Sequence, residues 1–310
     1  MLDTPPSSLH FLGAIAALGS ALCWALAAIL FRRIGNTVSA FGMNLGKGIV
    51  ATIFLLILLF GSFVFTEGAP AIASVDNQSL LFLALSGLVG ICLGDTLYFA
   101  TLIRLGPRVT LLMGSLIPVV TALAAILMLG ERISLLAATG LGLTIIGVAI
   151  VLWDKAPDNS TPVQWKAGIG FGMLFVLLES AGIILTKMGV QEVPSLEATF
   201  IRQTVAIAGL TFWGLAAGNL LGWLTPLKDP KTRRKIIIAA LIGALLGTWL
   251  SVLALKHTHA SVAAALNSTS PLFVLPLAAY MMKERISRKA IMGAAMAVVG
   301  IAGYFLTITL

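Results

Sequence analysis

Ten stretches of this 310-residue chain are each apolar for about the length of a bilayer crossing, and little chain is left between them. A helix through the hydrocarbon core needs roughly 20 apolar residues. Windows of that kind lie at 10–31, 40–62, 80–103, 109–129, 134–153, 167–187, 197–219, 236–256, 260–282 and 288–308. The longest connections are 63–79, 154–166 and 220–235, which leave no segment for a soluble domain. Lipid offers no hydrogen-bond partners, so spans of this length must satisfy their own backbone as helices. The predicted fold is an all-α integral membrane bundle of ten transmembrane helices. Composition agrees, with 59% hydrophobic and only 10% charged residues, against about 25% charged in soluble domains. Cys23 and Cys92 sit inside apolar runs, so no disulfide framework is implied. The first window lacks a basic leader and is too long for a signal peptide, so it is expected to be retained.

Orientation follows from Lys and Arg, which gather in loops that stay cytoplasmic. The connections after spans 1, 3, 5, 7 and 9 hold fifteen of the twenty basic residues, among them Arg32, Arg33, Arg104, Arg108 and Lys228 to Lys235. The other side holds only Arg132, Lys187 and Lys256. Both termini are therefore expected outside, on the periplasmic side of a bacterial inner membrane. The net charge of +8 reads as an orientation signal, with no nucleic-acid partner implied.

The chain also repeats itself. At an offset of 153, Glu131-Arg132-Ile133-Ser134 falls on Glu284-Arg285-Ile286-Ser287. The same offset pairs Gly90 with Gly243, Gly94 with Gly247, Ser115 with Ser268, Pro118 with Pro271 and Gly140 with Gly293. Lys47 of span 2 matches Arg202 of span 7 at an offset of 155. The halves, 1–156 and 157–310, hold five spans each, and an odd number forces the second to enter the membrane inverted. Segment 63–79 has no Lys or Arg, whereas its counterpart 220–235 has five, as opposite orientations require. Inverted repeats point to secondary transporters, with the site between them near the midplane.

The doubled pattern of Pro118, Glu131-Arg132 and Gly140, then Pro271, Glu284-Arg285 and Gly293, resembles the EamA unit of the drug/metabolite transporter superfamily. The resemblance covers essentially the whole chain. It implies two inverted five-helix repeats around a central cavity. Within the superfamily the sequence looks most like the amino-acid exporters of the YddG kind. It departs from many relatives in lacking a basic cluster after span 2, and those relatives keep their termini in the cytoplasm.

Charges within spans are costly and therefore informative. Asp95 and Glu179 lie mid-span and should face a water-filled cavity or a basic partner. Lys47 and Arg202 lie about two turns from their helix ends, where snorkelling is the plain alternative to cavity lining. Pro118 and Pro271 sit mid-span in spans 4 and 9, where each removes a helical hydrogen bond and releases the carbonyls of Gly114 and Asn267. Interrupted helices at matching positions mark transporter sites. Ser115, Asn267 and Ser268 around them join the candidate lining, as do Asn44 and the aromatics Trp24, Tyr98 and Trp249. Tyr98 follows Asp95 by three residues and shares its face. The bland readings are hydroxyls satisfying their own helix, rings against lipid, and Gly-x-x-x-Gly segments as close helix crossings. Glu131-Arg132 and Glu284-Arg285 read as structural hairpin-tip pairs.

These features predict a secondary transporter that exports a small metabolite by alternating access. An amino acid with an aromatic or apolar side chain is the expected cargo. A cation from Lys47 or Arg202 would favour a carboxylate, and Asn267, Ser268 and the aromatics suit the remainder. Drugs or sugar-type metabolites are the alternative cargo. An intramembrane enzyme is a remote alternative, because His10, His257 and His259 all lie near span ends and no metal-ligand spacing occurs. No catalytic residue, metal or cofactor is expected. The expected partners are the solute and the lipid bilayer, and a functional monomer suffices because one chain holds both halves.

Overall fold

The computed structural model describes residues 7–35, 37–66, 75–129, 135–153, 162–282 and 287–309. Among them every regular element is helical. The first half holds α1 Ser7–Ile34, α2 Ala40–Thr66, α3 Asn77–Ser86, α4 Asp95–Gly114, α5 Ile117–Leu129 and α6 Leu135–Trp153. The second holds α7 Pro162–Gly189, α8 Ser195–Ala216, the short α9 Leu220–Leu224, α10 Pro230–Ala239, α11 Thr248–His257, α12 Ala260–Asn267, α13 Ser270–Met282 and α14 Arg288–Thr309. Each of the ten apolar windows overlaps helix among the described residues. Among the described residues, five stretches are long and apolar enough to cross a membrane: Phe11–Ile34, Ala40–Ser62, Asn77–Gly114, Gln164–Gly189 and Pro230–His257. Large side chains such as Leu127, Leu135 and Phe212 point outward at 85%, 83% and 75% exposure, as suits a lipid-facing surface. The Glu131-Arg132 and Glu284-Arg285 pairs lie outside the described residues.

Local chemistry sets the breaks. Asp76 caps α3, its Oδ1 accepting from the Gln78 and Ser79 amides at 2.9 Å. Asp229 caps α10, where Pro230 takes the first helical position. Gly106 interrupts α4 at φ 77°, a conformation costly for any residue with a Cβ, and Pro107 starts the next helical run. That break is the turn between the third and fourth apolar windows.

The prolines behave differently from the mid-span kink expected of them. α4 ends at Gly114 and α5 begins at Ile117, so Pro118 falls in the first turn of a new helix. α12 ends at Asn267 and α13 begins at Ser270, so Pro271 does the same. An N–H is dispensable in a first turn, and the helix therefore breaks ahead of the proline instead of bending at it.

Several features recur at the 153-residue spacing. Between α3 and α4 the chain widens into a π-helical segment, Gly87–Gly94, and between α10 and α11 into another, Ala240–Gly247. A π turn disturbs the i to i−4 ladder and leaves carbonyls in want of donors. Asn44 Nδ2 donates to the Ile91 carbonyl at 2.8 Å, and Gln203 Nε2 donates to the Ala244 carbonyl at 3.1 Å. Arg32 caps the Leu102 and Ile103 carbonyls, and Lys187 Nζ caps Leu255 at 2.9 Å and Thr258 at 2.7 Å. Lys256 Nζ donates to the Val193 carbonyl at 2.9 Å. Two of the three basic residues on the poorly charged side are thus held at helix ends. The π segments also carry the Gly-x-x-x-Gly pairs: Gly90 meets Gly182 of α7, and Gly243 meets Ala27 of α1. They are close helix crossings. α6 and α14 pack along each other, with Gly147 against the Gly293 carbonyl.

Candidate functional site

The helix breaks meet at the centre of the bundle. Ser115 Oγ donates to the Ser268 carbonyl at 3.3 Å, and Ser268 Oγ donates to the Gly114 carbonyl at 3.2 Å. The Asn267 carbonyl accepts Ser270 Oγ at 2.8 Å. The carbonyls of Gly114 and Asn267, the two that the prolines were expected to release, therefore both accept hydroxyls. Beside this crossing lies a cavity of about 100 Å³. An inner branch of about 30 Å³ shares Trp24, Asp95 and Glu179 with it and adds Arg202 and Thr248.

Trp24, Tyr98 and Phe175 give the cavity an aromatic side, with ring centroids 5.8 Å apart for Trp24–Tyr98 and 5.3 Å for Tyr98–Phe175. Asn267 and Ser251 give it a polar side, joined by Asn267 Nδ2 donating to Ser251 Oγ at 2.9 Å. Tyr98 Oη and Asn267 Oδ1 are buried and make no hydrogen bond among the described residues. Leaving such groups unpaired is costly, so both are ready for a solute or water.

The buried charges are arranged unequally. Lys47 is fully buried, and its Nζ contacts Asp95 Oδ2 at 2.6 Å. The ammonium also lies 6.0 Å from the Trp24 ring and 5.8 Å from the Phe99 ring. Arg202 is buried and donates from Nε to Ser86 Oγ at 2.9 Å. Neither cation snorkels. The Glu179 carboxylate makes no hydrogen bond among the described residues, although Asp95, Arg202 and Lys47 all lie within its electrostatic reach.

Two apolar clusters flank the cavity. One, around Phe31, Phe99, Leu102 and Val274, lies toward the arginine-rich end of α1. The other, around Ala17, Ile184, Ala260 and Val262, lies toward the opposite end. The first is aromatic and the second is built of small aliphatic side chains.

Of the residues singled out in the sequence, Trp24, Asp95, Tyr98, Glu179, Asn267 and Ser268 line the cavity, and Arg202 lines its inner branch. Lys47 stands behind Asp95, Asn44 serves the π segment, and Ser115 serves the helix crossing. Trp249 is half-buried in α11 and does not line the cavity. Pro118 and Pro271 act one turn away, by starting the second half of each broken helix. Sequence reasoning missed Phe175, Ser251 and Gln203. Ser251 was within reach, since it stands 153 residues after Tyr98, and Gln203 adjoins Arg202. Phe175 carries no signal that separates it from the other apolar residues of its helix.

The profile of the EamA-like transporter family matches twice, over residues 11–153 and 166–306. An uncharacterized transporter from Archaeoglobus fulgidus is 26% identical over 282 residues, which cover 90% of this chain and 92% of that protein. A solved crystal structure superposes with a TM-score of 0.68 at 16% identity, covering 95% of this chain and 96% of its own. That likeness speaks to fold alone. A multi-pass helical chain, two tandem profile matches and a relative of similar length lead to one conclusion: the chain belongs to the EamA-like transporter family.

Proposed function

We propose that this transporter moves amino acids with aromatic or apolar side chains out of the cell by alternating access. The observation that carries the reading is the cavity at the crossing of the two broken helices. It combines an aromatic wall with buried polar atoms that have no hydrogen-bond partner among the described residues. The halves 1–156 and 157–310 act as inverted repeats that rock about this crossing. Their recurring π segments and serine contacts at one spacing support that reading. The resemblance to the YddG kind supports the same cargo class. The protein works as a monomer, because one chain holds both halves, in the bacterial inner membrane, and the Lys and Arg distribution favours both termini outside.

A second cargo is favoured by one observation, the pair of carboxylates, Asp95 and Glu179, on the cavity wall. An organic cation of the drug type would use them. Proteoliposomes containing the purified protein should accumulate labelled phenylalanine, leucine or tryptophan in counterflow. Accumulation of cationic drugs or sugars, with amino acids at the level of empty liposomes, would overturn the amino-acid reading.

A further inference from the structure

Glu179 and Arg202 face one point without touching. Glu179 Oε2 and Arg202 Nη2 each lie 3.7 Å from the position that a Cβ on Gly90 would take. Yet they form no ion pair within 4.0 Å, whereas Lys47 and Asp95 beside them close to 2.6 Å. The Ser86 hydroxyl holds Arg202 by its Nε, which leaves the terminal guanidinium nitrogens for the inner branch. Glu179 has no hydrogen-bond partner among the described residues to draw it away.

We infer that this gap is the head-group subsite for a zwitterion. The solute's ammonium group lies against Glu179 and its carboxylate against Arg202, both of which line the inner branch. Two short charge-assisted hydrogen bonds then replace one open separation of charge. Lys47 and Asp95 already neutralise each other, so the bound site stays electrically balanced. A solute carrying only one of the two charges leaves a buried protein charge without its partner, and the site discriminates against it. Tyr98 and Phe175 line only the main cavity, where the solute's apolar side chain belongs, and Trp24 lines both it and the inner branch. The subsite rests on the amino-acid reading above but makes a separate claim about how the amino acid is held.

Gly90 supplies the test. A Cβ there would sit 3.4 Å from the Gly182 Cα, an ordinary contact, and between the two charges. Gly90→Ala therefore keeps the fold and sets a methyl group against both charged side chains, where it hinders a head group bound between them. Binding to the purified protein is measured by ligand-induced thermal shift, with counterflow in parallel. The probes are phenylalanine, 2-phenylethylamine and 3-phenylpropionate, with the leucine set (leucine, isoamylamine, 4-methylpentanoate) as a second series. The amino acid should bind at least about tenfold more tightly than either single-charge analogue. Gly90→Ala should keep the ligand-free melting temperature and lose at least about tenfold in that affinity. Glu179→Gln, which preserves shape, should bring the amino acid down to the level of the carboxylate analogue. If amino acids bind and counterflow but the analogues compete equally, or if both variants bind as the parent does, the subsite is wrong and the transport reading stands. If no amino acid binds or moves, both fall.

Discussion

At the residue scale, the two cations that the sequence placed inside spans turn out to have different duties. Removing one partner of a buried ion pair leaves an uncompensated charge and costs about 3–5 kcal/mol. Lys47→Met should therefore lower the melting temperature of the detergent-purified protein steeply. Adding Asp95→Leu should recover most of the loss, because two apolar groups can share the space that an ion pair held. A double variant as unstable as the single one would show that Lys47 does more than neutralise Asp95. Gly87→Ala should be destabilising where Gly90→Ala is not, since its Cβ would press into the Arg202 backbone carbonyl and only a shift of α8 could relieve it. The sequence made these charges conspicuous, because lipid makes any charge within a span an exception. It left open which acid pairs with which base. That choice depends on how α2 and α4 are rotated against each other, and no spacing within either helix reports it.

At the element scale, the π segments and helix breaks carry the account. Asn44 and Gln203 each donate an amide proton to a carbonyl of a π segment at equivalent places in the two halves. Asn44→Ala and Gln203→Leu should each cost about 1–3 kcal/mol, the penalty for a buried carbonyl that loses its donor. Thermal unfolding of the two variants checks this. Equal melting temperatures for parent and variants would mean that the π segments relax to ordinary helix. Asp76 gives a pH-dependent case on an exposed helix start. The Ser79 and Gln78 donors hold its carboxyl below the ordinary aspartate value. A folded pKa below the unfolded one stabilises fully above the unfolded value, and the gain is lost as pH falls through the folded value. Asp76→Asn keeps a capping oxygen without the charge, so its thermal stability should fall less than the parent's as the buffer is taken from pH 5 downward. The sequence located these breaks correctly in spans 4 and 9 but put them at the prolines. Pro118 and Pro271 are tolerated where a helix begins, and the interruption lies in the residues just before each. The π segments were invisible, because their glycines read only as close crossings and nothing in a glycine spacing distinguishes a π turn from an α turn.

At the scale of the whole molecule, the all-helical character and the tandem family match were legible from hydropathy and repetition. Among the described residues, five helical stretches are long and apolar enough to cross a bilayer. Others are shortened by breaks, such as those after Gly114 and Asn267, or carry a charge as α8 does. Orientation rests on the distribution of Lys and Arg, so a phosphatase fused after Leu310 should be active and a cytoplasm-dependent reporter there should be silent. The opposite pattern would turn the molecule over and exchange the sides of its two apolar clusters. Neither result would alter the cavity, which lies between the clusters around Phe31 and Ala17. Access to that cavity from each side in turn is the central claim. A Ser251→Cys variant, with Cys23 and Cys92 replaced by alanine, tests it most directly with membrane-impermeant thiol reagents applied to oriented vesicles. Alternating access predicts labelling from either face and protection by the transported amino acid. Labelling from one face alone, or labelling that no transported solute slows, would contradict it.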